Sequence, residues 1–494
     1  MTSTRTNDAA SVALSLISHT NAGKTTLART LLDRDVGEVR DAAHVTQDAS
    51  VHRMIDTPDG DVLSLWDTPG FGDSARLARR LAKEGSPIGW FLTQVWDRYR
   101  DRTLWLTQAA LRNVRDDADV VLYLVNVAEA PEDAGYLAPE LTVLAWLGKP
   151  VIVLLNQTGP ARDAPDERAD EARWRERLAA AGLRDVLPLD AFARCWVQEF
   201  ALFAALARAV RDDKRASLRR LTQAWVARRY AQFDAAMDAI AAPVAHAARA
   251  RETLPDDPLL ARLGRSLGLA RGSEESASAA AGRAMAARVD GDLRACTDAL
   301  IAVHGLAGGA AAEAFARADA GMRRDAPLDE GKAAMMGGLV TGALSGLTAD
   351  LATGGLTLGG GMLAGALLGA LGGAGVARGM NVARERTTVS LSWDDAFLDA
   401  LVEAVLLRYL AVAHFGRGRG DWQADAPPGR WREVLASVLA GRRATWTSLW
   451  ARRLDGDDGA VAAAVRAELA HDALAALDAL YPDAARPRRA PPAT

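Results

Sequence analysis

The residues best suited to chemistry lie near the start of the chain, in the segment SHTNAGKTTL at 18–27. It ends in Gly23, Lys24 and Thr25, which complete the phosphate-binding pattern G-x-x-x-x-G-K-S/T, but Ser18 stands where that pattern has its first glycine. The segment is therefore a working phosphate loop that tolerates Ser18, a degraded nucleotide site, or a chance occurrence of GKT.

A working loop assigns distinct roles to its residues. Backbone N–H groups of the loop and of the following helix bind phosphate oxygens. Lys24 reaches the β- and γ-phosphates, and the Thr25 hydroxyl binds Mg²⁺. The candidate nucleotide-binding residues of the loop are Ser18, Asn21, Ala22, Gly23, Lys24, Thr25 and Thr26.

A second motif, DTPG at 67–70, follows one predicted hairpin further along the chain. Asp67 ends a predicted strand, where its carboxylate can hold the shell of a Mg²⁺ ion, and Gly70 lets a backbone N–H approach the γ-phosphate. An ordinary Asp-Thr-Pro-Gly turn is the alternative. Its position one hairpin after GKT favours the nucleotide site.

The elements that must position these groups follow from short apolar runs separated by turn signals and by helical stretches. VVLYLVNV and PVIVLLN are continuous apolar runs, typical of parallel strands covered on both faces. The pattern predicts a doubly wound α/β domain with a mostly parallel sheet over residues 1–212. The predicted strands are 11–17, 51–55, 62–66, 120–127, 150–156 and 186–189.

This set of motifs resembles the Era-like and tRNA-modification GTPases of the translation-factor superfamily, over residues 11–195. The resemblance rests on NAGKTTL at 21–27, DTPG at 67–70 and the threonine of HVTQD at 44–48. It implies that the domain binds GTP and GDP with Mg²⁺ and hydrolyses GTP.

The same resemblance assigns further roles. Thr46 is the switch-I threonine that meets Mg²⁺ and the γ-phosphate, so the implied metal ligands are Thr25, Thr46 and Asp67. Lys24, Thr46 and Gly70 form the implied catalytic set. Asn21 matches a loop asparagine that helps to hold an activating K⁺ ion, or it only shapes the turn.

Two departures from related patterns affect the predicted activity. Phe71 stands where Ras-like enzymes carry the glutamine that orients water, which agrees with the Era-like class and predicts slow hydrolysis that needs an ion, a partner or dimerisation.

The second departure concerns the base. NQTG at 156–159 stands where guanine-specific domains have Asn-Lys-x-Asp. The missing aspartate costs about 1–3 kcal/mol of discrimination, so Asn156 and Gln157 are nucleotide-binding candidates for guanine or another base.

An aromatic segment interrupts the domain within a predicted helical insertion at 74–117. Its aromatic residues are Trp90, Phe91, Trp96, Tyr99 and Trp105. They either pack in a core or couple switch II to the rest of the chain, because the insertion follows DTPG directly.

Beyond residue 212 the composition changes. Residues 213–332 are rich in Ala, Arg and Leu at helical spacing, without a predicted strand, and indicate a helical domain or stalk. Residues 378–483 are predicted to be mainly helical with one short strand at 387–393, and 484–494 to be a disordered tail.

The segment between them, 333–377, contains a single charged residue, Asp350. Its glycines recur every four residues, as in closely packed membrane helices. Helices at 333–348 and 357–377, flanked by basic residues at both ends, predict a transmembrane hairpin that crosses the bacterial inner membrane, or one that dips into it, from the cytoplasmic face. A buried hairpin in a soluble cytoplasmic protein is the alternative.

Composition limits the partners. The chain has 494 residues and a net charge of −4, so no nucleic-acid partner is expected. The whole sequence resembles a bacterial family that joins an Era-like GTPase domain to a long domain of unknown function. The predicted function is a slow, membrane-associated GTPase switch whose partners are lipids, a membrane protein or a second copy. A dynamin-like remodelling GTPase and a catalytically inactive nucleotide-binding scaffold are the alternatives.

Overall fold

The computed structural model groups the chain into two compact units. The first comprises Met1–Ala231, His414–Gly420 and Tyr481–Thr494, and the second Gln232–Ala413 and Asp421–Leu480. Residues described by the structure are 10–19, 22–33, 50–68, 70–82, 99, 101–156, 164–191, 195–253, 270–308, 376–379, 390–416, 419–422, 428–455, 457–484 and 486–487.

A six-stranded sheet forms the centre of the first unit, in the order β2-β3-β1-β4-β5-β6. All neighbouring strands are parallel except β2 and β3, which form an antiparallel hairpin. The predicted α/β domain with a mostly parallel sheet is therefore confirmed. Its strands are β1 Ser11–Ser18, β2 Ser50–Asp56, β3 Val62–Asp67, β4 Val120–Asn126, β5 Val151–Asn156 and β6 Val186–Pro188.

Helices alternate with these strands along the chain, and the last of them continues into the second unit. They are α1 Lys24–Leu32, α2 Ser74–Leu81, α3 Arg102–Asp117, α4 Leu137–Leu147, α5 Ala164–Ala179, α6 Gln198–Ala209 and α7 Arg215–Arg249. The carboxylates of Asp73 and Asp101 accept hydrogen bonds from backbone N–H groups in the first turns of α2 and α3, which explains where both helices begin.

The sheet is buried on both faces, as continuous apolar strands require. One face carries Ile17 and Tyr123, which belong to an apolar cluster with Leu77 of α2, Leu111 of α3 and Val143 of α4. Residues of the opposite face, such as Leu16, Leu122 and Leu154, are equally buried. Helix α1 contacts β1 and β3, so the segment after β1 is held between sheet and helix.

The second unit contains the rest of α7, the helices α8 Ala270–Val303, α9 Asp395–Ala413, α10 Gly429–Ala451 and α11 Asp458–Leu480, and a three-stranded sheet. The sheet is antiparallel in the order β7-β9-β8, with β7 Arg251–Thr253, β8 Val376–Gly379 and β9 Ser390–Trp393. The helical character after residue 212 is confirmed, but the expectation of no strand there is wrong at β7.

The prediction of a transmembrane helix is also wrong. Within the part of the chain that the structure describes, no helix combines the length and the apolar character needed to cross a membrane. The second helix of the predicted hairpin does not reach residue 377, because Val376 and Ala377 pair in β8 with Trp393 and Ser392 of β9. The rest of the hairpin, at 333–375, lies outside the described residues, as do 83–98 of the aromatic insertion and 488–494 of the tail.

Candidate nucleotide-binding site

The two chemical motifs meet because β1 and β3 are parallel neighbours. Leu16 lies opposite Asp67 in the register of the two strands. The segment that follows β1 and the segment that follows β3 therefore emerge together at the carboxyl edge of the sheet, where open α/β sheets bind ligands. The Thr68 hydroxyl fixes this arrangement by donating to the Leu16 carbonyl over 2.5 Å.

The described part of the phosphate loop turns sharply into α1. Gly23 precedes the helix with φ of 82°, in the left-handed region that favours glycine. The Ala22 N–H donates to the His19 carbonyl over 3.4 Å, which closes the turn. Lys24 and Thr25 are consequently the first two residues of α1, at the helix end that binds anions.

Ser18 makes two side-chain contacts that a glycine could not make. Its side chain is buried, accepts a hydrogen bond from Lys24 Nζ over 3.1 Å and donates to the His19 carbonyl over 2.5 Å. Its own carbonyl accepts from the Phe71 N–H over 3.1 Å, which ties the loop to the segment after DTPG. The departure from the glycine pattern therefore adds a polar contact to the lysine.

Lys24 is an ammonium group with few opportunities to contact water. It is 8% exposed, and burial lowers its pKa, although the charges of Asp67 and Glu140 partly oppose that shift. Removal from water weakens the stabilisation of the charged form. An anion placed beside this group would restore that stabilisation, which is the property a phosphate-binding lysine needs.

Asp67 and Thr25 form the second half of the site. The Thr25 hydroxyl donates to Asp67 Oδ2 over 2.6 Å. Burial raises the pKa of Asp67, opposed by the bond from Thr25 and by the charges of Lys24 and His52. Among the described residues, the buried atom Asp67 Oδ1 has no hydrogen-bond partner.

These two residues fit a magnesium ion. Mg²⁺ prefers oxygen ligands and is commonly held by one or two carboxylates together with substrate phosphates. Asp67 Oδ1 offers a carboxylate oxygen without a competing partner, and the Thr25 hydroxyl lies beside it. The described residues contain no cluster of three or more His, Cys, Asp or Glu that could hold a metal, so such an ion would depend on the nucleotide for its remaining ligands.

Asn156 reaches the loop from the end of β5. It is fully buried, and its Nδ2 donates to the Ala22 carbonyl over 2.8 Å, while its Oδ1 accepts from the Ala191 N–H over 2.8 Å. The Ala191 carbonyl in turn accepts from the Thr30 hydroxyl of α1 over 3.1 Å. Asn156 thus joins the phosphate loop to the segment that follows β6.

The structure brings together most, but not all, of the candidate residues. Ser18, Ala22, Gly23, Lys24, Thr25, Asp67 and Asn156 share one edge of the sheet. Thr26 is buried in α1, and Gly70 precedes the buried Phe71. Asn21, Thr46 and Gln157 lie outside the described residues.

Sequence reasoning overlooked a polar group beneath the loop. Glu140 of α4 is fully buried and contacts both His19 of the loop and Tyr123 of β4. Its signal in the sequence is a lone acidic residue within the apolar helix LAPELTVLAWL. Such a residue is rarely buried without a partner, so the pattern indicates a buried polar contact without revealing which residue supplies it.

Two family models match the sequence. Residues 14–157 match the model described as 50S ribosome-binding GTPase. Residues 175–458, more than half of the chain, match the Domain of unknown function (DUF3482). No curated protein matches the sequence significantly.

Solved structures of GTPases resemble part of the chain. An Era variant from Aquifex aeolicus bound to GDP and aluminium fluoride shares 17% identity over 41% of this chain, with a TM-score of 0.30. Era in complex with MgGDPNP and a segment of 16S ribosomal RNA shares 16% identity over 41% of this chain, also with a TM-score of 0.30. This chain spans 57% of the length of each Era chain.

The crystal structure described as that of a probable GTP-binding protein, EngB, shares 17% identity over 40% of this chain and 99% of its own length, with a TM-score of 0.24. The match at 14–157 covers the segment that contains Ser18, Lys24, Thr25, Asp67 and Asn156. The chain belongs to the family defined by the domain of unknown function DUF3482, here preceded by a segment that matches the 50S ribosome-binding GTPase model.

Proposed function

We propose that the N-terminal domain binds GTP with Mg²⁺, hydrolyses it slowly and acts as a nucleotide-dependent switch. The observation that carries the proposal is the pair of incompletely compensated charges at one sheet edge. Burial lowers the pKa of Lys24 and raises that of Asp67, whose Oδ1 has no hydrogen-bond partner among the described residues. A magnesium nucleotide supplies both missing charges, the anion beside Lys24 and the cation beside Asp67.

In this proposal each residue has a physical task. Lys24 and the first N–H groups of α1 bind the phosphates, and Thr25 and Asp67 hold Mg²⁺. When bound, the ion neutralises charge that develops on the phosphate oxygens. The roles of Asn21 in holding K⁺ and of Thr46 in completing the metal shell rest on the resemblance to Era-like GTPases.

The segment after Asp67 accounts for slow turnover. Phe71 is 2% exposed and its ring lies 6.4 Å from that of Tyr123, so it is a core residue and offers no polar atom to a water molecule. Its N–H donates to the Ser18 carbonyl. We therefore expect the nucleophilic water to be oriented by another group, such as K⁺, a partner protein or a second copy.

The position of Asn156 favours a nucleotide over free phosphate as the ligand. Its two polar atoms hold the phosphate loop against the backbone at Ala191. This contact brings the segment after β1, the end of β5 and the segment after β6 together at one edge, where a base can lie beside the phosphate loop. The preference for guanine is proposed from the resemblance to GTPases. The segment NQTG does not itself supply it, since it lacks the aspartate of Asn-Lys-x-Asp.

Nucleotide binding and turnover test the proposal directly. Calorimetric titration compares GTP, GDP and ATP with Mg²⁺, in Na⁺ and in K⁺, for the wild type, Lys24→Ala and Lys149→Ala. Lys149 is a matched control, because it precedes β5 at the end of the strand opposite Asn156. We expect GTP to bind the wild type and Lys149→Ala, with at least about 100-fold weaker binding to Lys24→Ala.

We expect turnover to be faster in K⁺ than in Na⁺. Absence of binding to either nucleoside triphosphate contradicts the proposal. Binding of GTP without turnover in either salt contradicts its catalytic part and leaves a nucleotide-binding scaffold. Tighter binding of ATP than of GTP contradicts the assigned base preference.

A further inference from the structure

A buried carboxylate outside the nucleotide-binding motifs joins the phosphate loop to the body of the domain. Glu140 Oε1 lies 2.7 Å from His19 Nδ1, and Glu140 Oε2 accepts a hydrogen bond from the Tyr123 hydroxyl over 2.7 Å. The carboxylate is fully buried, whereas the His19 side chain is 35% exposed. Glu140 therefore contacts the loop through one oxygen and the central sheet through the other.

His19 is held from a second side by the same helix. Its ring stacks on Tyr136, with centroids 4.3 Å apart and an angle of 18° between the ring planes. Tyr136 and Glu140 are four residues apart and lie at the start of α4, so they occupy neighbouring positions on one helix face. The first turn of α4 thus fixes both the position and the plane of the imidazole.

The fixed residue is also the one that closes the loop. The His19 carbonyl accepts hydrogen bonds from the Ser18 hydroxyl and from the Ala22 N–H. Ser18 contacts the Lys24 ammonium, and Gly23 begins α1. Holding the His19 side chain therefore restricts the backbone turn on which the phosphate-binding groups depend.

We propose that Glu140 is a positioning residue of the nucleotide site, which holds the phosphate loop in its binding conformation through His19. The inference rests on the proposed function, because it concerns the same site and the same ligand. A loop that is ordered before the ligand arrives binds more tightly than one that binding must order. Glu140 also lies close enough to Lys24 for its charge to favour the ammonium form.

Four variants separate positioning from packing. Glu140→Leu removes both polar contacts at similar volume, and Glu140→Gln keeps an acceptor for His19 and a polar partner for Tyr123. His19→Ala removes the pair from the loop side at a partly exposed position, so the domain should fold even if Glu140→Leu does not. Tyr123→Phe is the matched control, since it removes a hydrogen bond from the same carboxylate without touching the loop.

Two measurements report how these substitutions affect the loop and its affinity for GTP. The first is hydrogen exchange of backbone amides in peptides that cover residues 18–25 of the nucleotide-free protein. The second is the Kd for GTP with Mg²⁺. We expect Glu140→Leu and His19→Ala each to speed exchange in the loop by about tenfold and to raise the Kd by about tenfold. Glu140→Gln and Tyr123→Phe should stay within about threefold of the wild type.

The double variant His19→Ala with Glu140→Leu should bind GTP no more weakly than the more impaired single variant, because both changes remove the same contact between His19 and Glu140. Unchanged loop exchange in a folded His19→Ala protein overturns the inference. So does a Tyr123→Phe effect as large as that of His19→Ala, since the carboxylate would then act through core packing. Loop exchange is measured without nucleotide, so a failure to bind GTP contradicts the proposed function while this readout still decides the role of Glu140.

Discussion

Two groups of buried charges lie in the first unit, and they differ in how completely their charges are compensated. The phosphate-loop cluster consists of Lys24, Thr25 and Asp67. The α7 cluster consists of Arg229 with Glu199 and Asp33, which Arg229 contacts at 2.5 to 2.8 Å. Arg229 also lies over the ring of Trp225, 4.5 Å from its centroid.

The pKa values of the two cations shift in opposite directions. Burial alone lowers the pKa of Arg229, but the charges and hydrogen bonds of Glu199 and Asp33 more than reverse that effect and raise it above its ordinary value. Burial also lowers the pKa of Lys24, and there Asp67 and Glu140 do not reverse it. The α7 cluster is thus a structural cross-link with its charges paired, whereas the charge of Lys24 in the phosphate-loop cluster is only partly compensated.

The two ends of β3 repeat the contrast. Asp61, just before the strand, accepts from Arg220 over 2.6 and 2.8 Å, from the Thr57 hydroxyl and from the Ala10 N–H. These contacts hold its pKa below the ordinary value despite burial. Asp67, at the other end, has a raised pKa and one oxygen without a hydrogen-bond partner in the described part of the chain.

The largest loss of stability should follow a substitution in the α7 cluster. Arg229→Met leaves the buried Glu199 carboxylate without its arginine and removes the closer of two arginines from Asp33, so it should lower the free energy of unfolding by about 3–5 kcal/mol, measured by urea denaturation. Arg228→Met is the control, because Arg228 is 46% exposed and lies 3.4 Å from Asp33. Arg228→Met should lower the free energy of unfolding by less than about 1 kcal/mol. Equal losses of unfolding free energy in Arg229→Met and Arg228→Met would contradict the contrast between the α7 cluster and the phosphate-loop cluster.

Lys24→Met should separate binding from stability. We expect GTP to bind at least about 100-fold more weakly, because the phosphates lose their ammonium partner. The free energy of unfolding should change by less than about 1 kcal/mol, since an apolar side chain of similar length removes an under-compensated buried charge. A loss of stability as large as that of Arg229→Met would show that the lysine is a structural ion pair.

Asp61→Asn should destabilise the first unit by about 2 kcal/mol at pH 7, because the amide cannot accept charge-assisted bonds from Arg220. The folded pKa is depressed, so the carboxylate's contribution is fully present above its ordinary pKa of 3.8 and is lost as the pH falls further. Urea denaturation at pH 7, 5 and 3 should show a difference from wild type that is constant between pH 7 and 5 and smaller at pH 3.

Asp59→Asn provides the comparison for this pH dependence. Asp59 lies 3.9 Å from the same arginine but is 59% exposed, so its substitution should change stability by less than about 0.5 kcal/mol at every pH. A difference between wild type and Asp61→Asn that grows on acidification has the wrong sign and would exclude a depressed pKa as the cause.

Much of the sheet could be predicted from the sequence, because β1, β4 and β5 are continuous apolar runs and buried parallel strands require them. Strand β7 could not. Its three residues, Arg251–Thr253, are polar and too short to show a period of two. They are extended because β9 supplies hydrogen-bond partners from more than a hundred residues away, which no local pattern encodes.

The same limit applies to the candidate site. Lys24 and Thr25 could be proposed because the phosphate-loop pattern places a lysine and a hydroxyl residue at fixed offsets, and Asp67 because DTPG follows one hairpin later. The contact between His19 and Glu140 joins residues 121 positions apart. The motif also presents Ser18 only as a missing glycine, whereas its hydroxyl contacts Lys24 in the folded domain.

The smallest expected effect concerns the metal, and it compares the aspartates at the two ends of β3, Asp61 just before the strand and Asp67 at its last residue. Asp67→Asn should abolish the increase in GTP affinity that Mg²⁺ produces, about tenfold, because a neutral amide is a poorer ligand for the ion. The free energy of unfolding at pH 7 should not fall, since the amide avoids the desolvation that raises the pKa of Asp67. The measurement is GTP titration with Mg²⁺ and with EDTA.

Asp73→Asn is the control, because Asp73 caps α2 through the Arg76 N–H and asparagine caps helices equally well. It should leave both the Mg²⁺ effect and stability unchanged. If Asp67→Asn kept the Mg²⁺ effect, the unpartnered oxygen would have no role in metal binding. If Asp67→Asn lowered the free energy of unfolding as much as Asp61→Asn, the carboxylates at both ends of β3 would be structural contacts. The contrast between the two clusters would then fail at Asp67, the residue on which the proposed metal site depends.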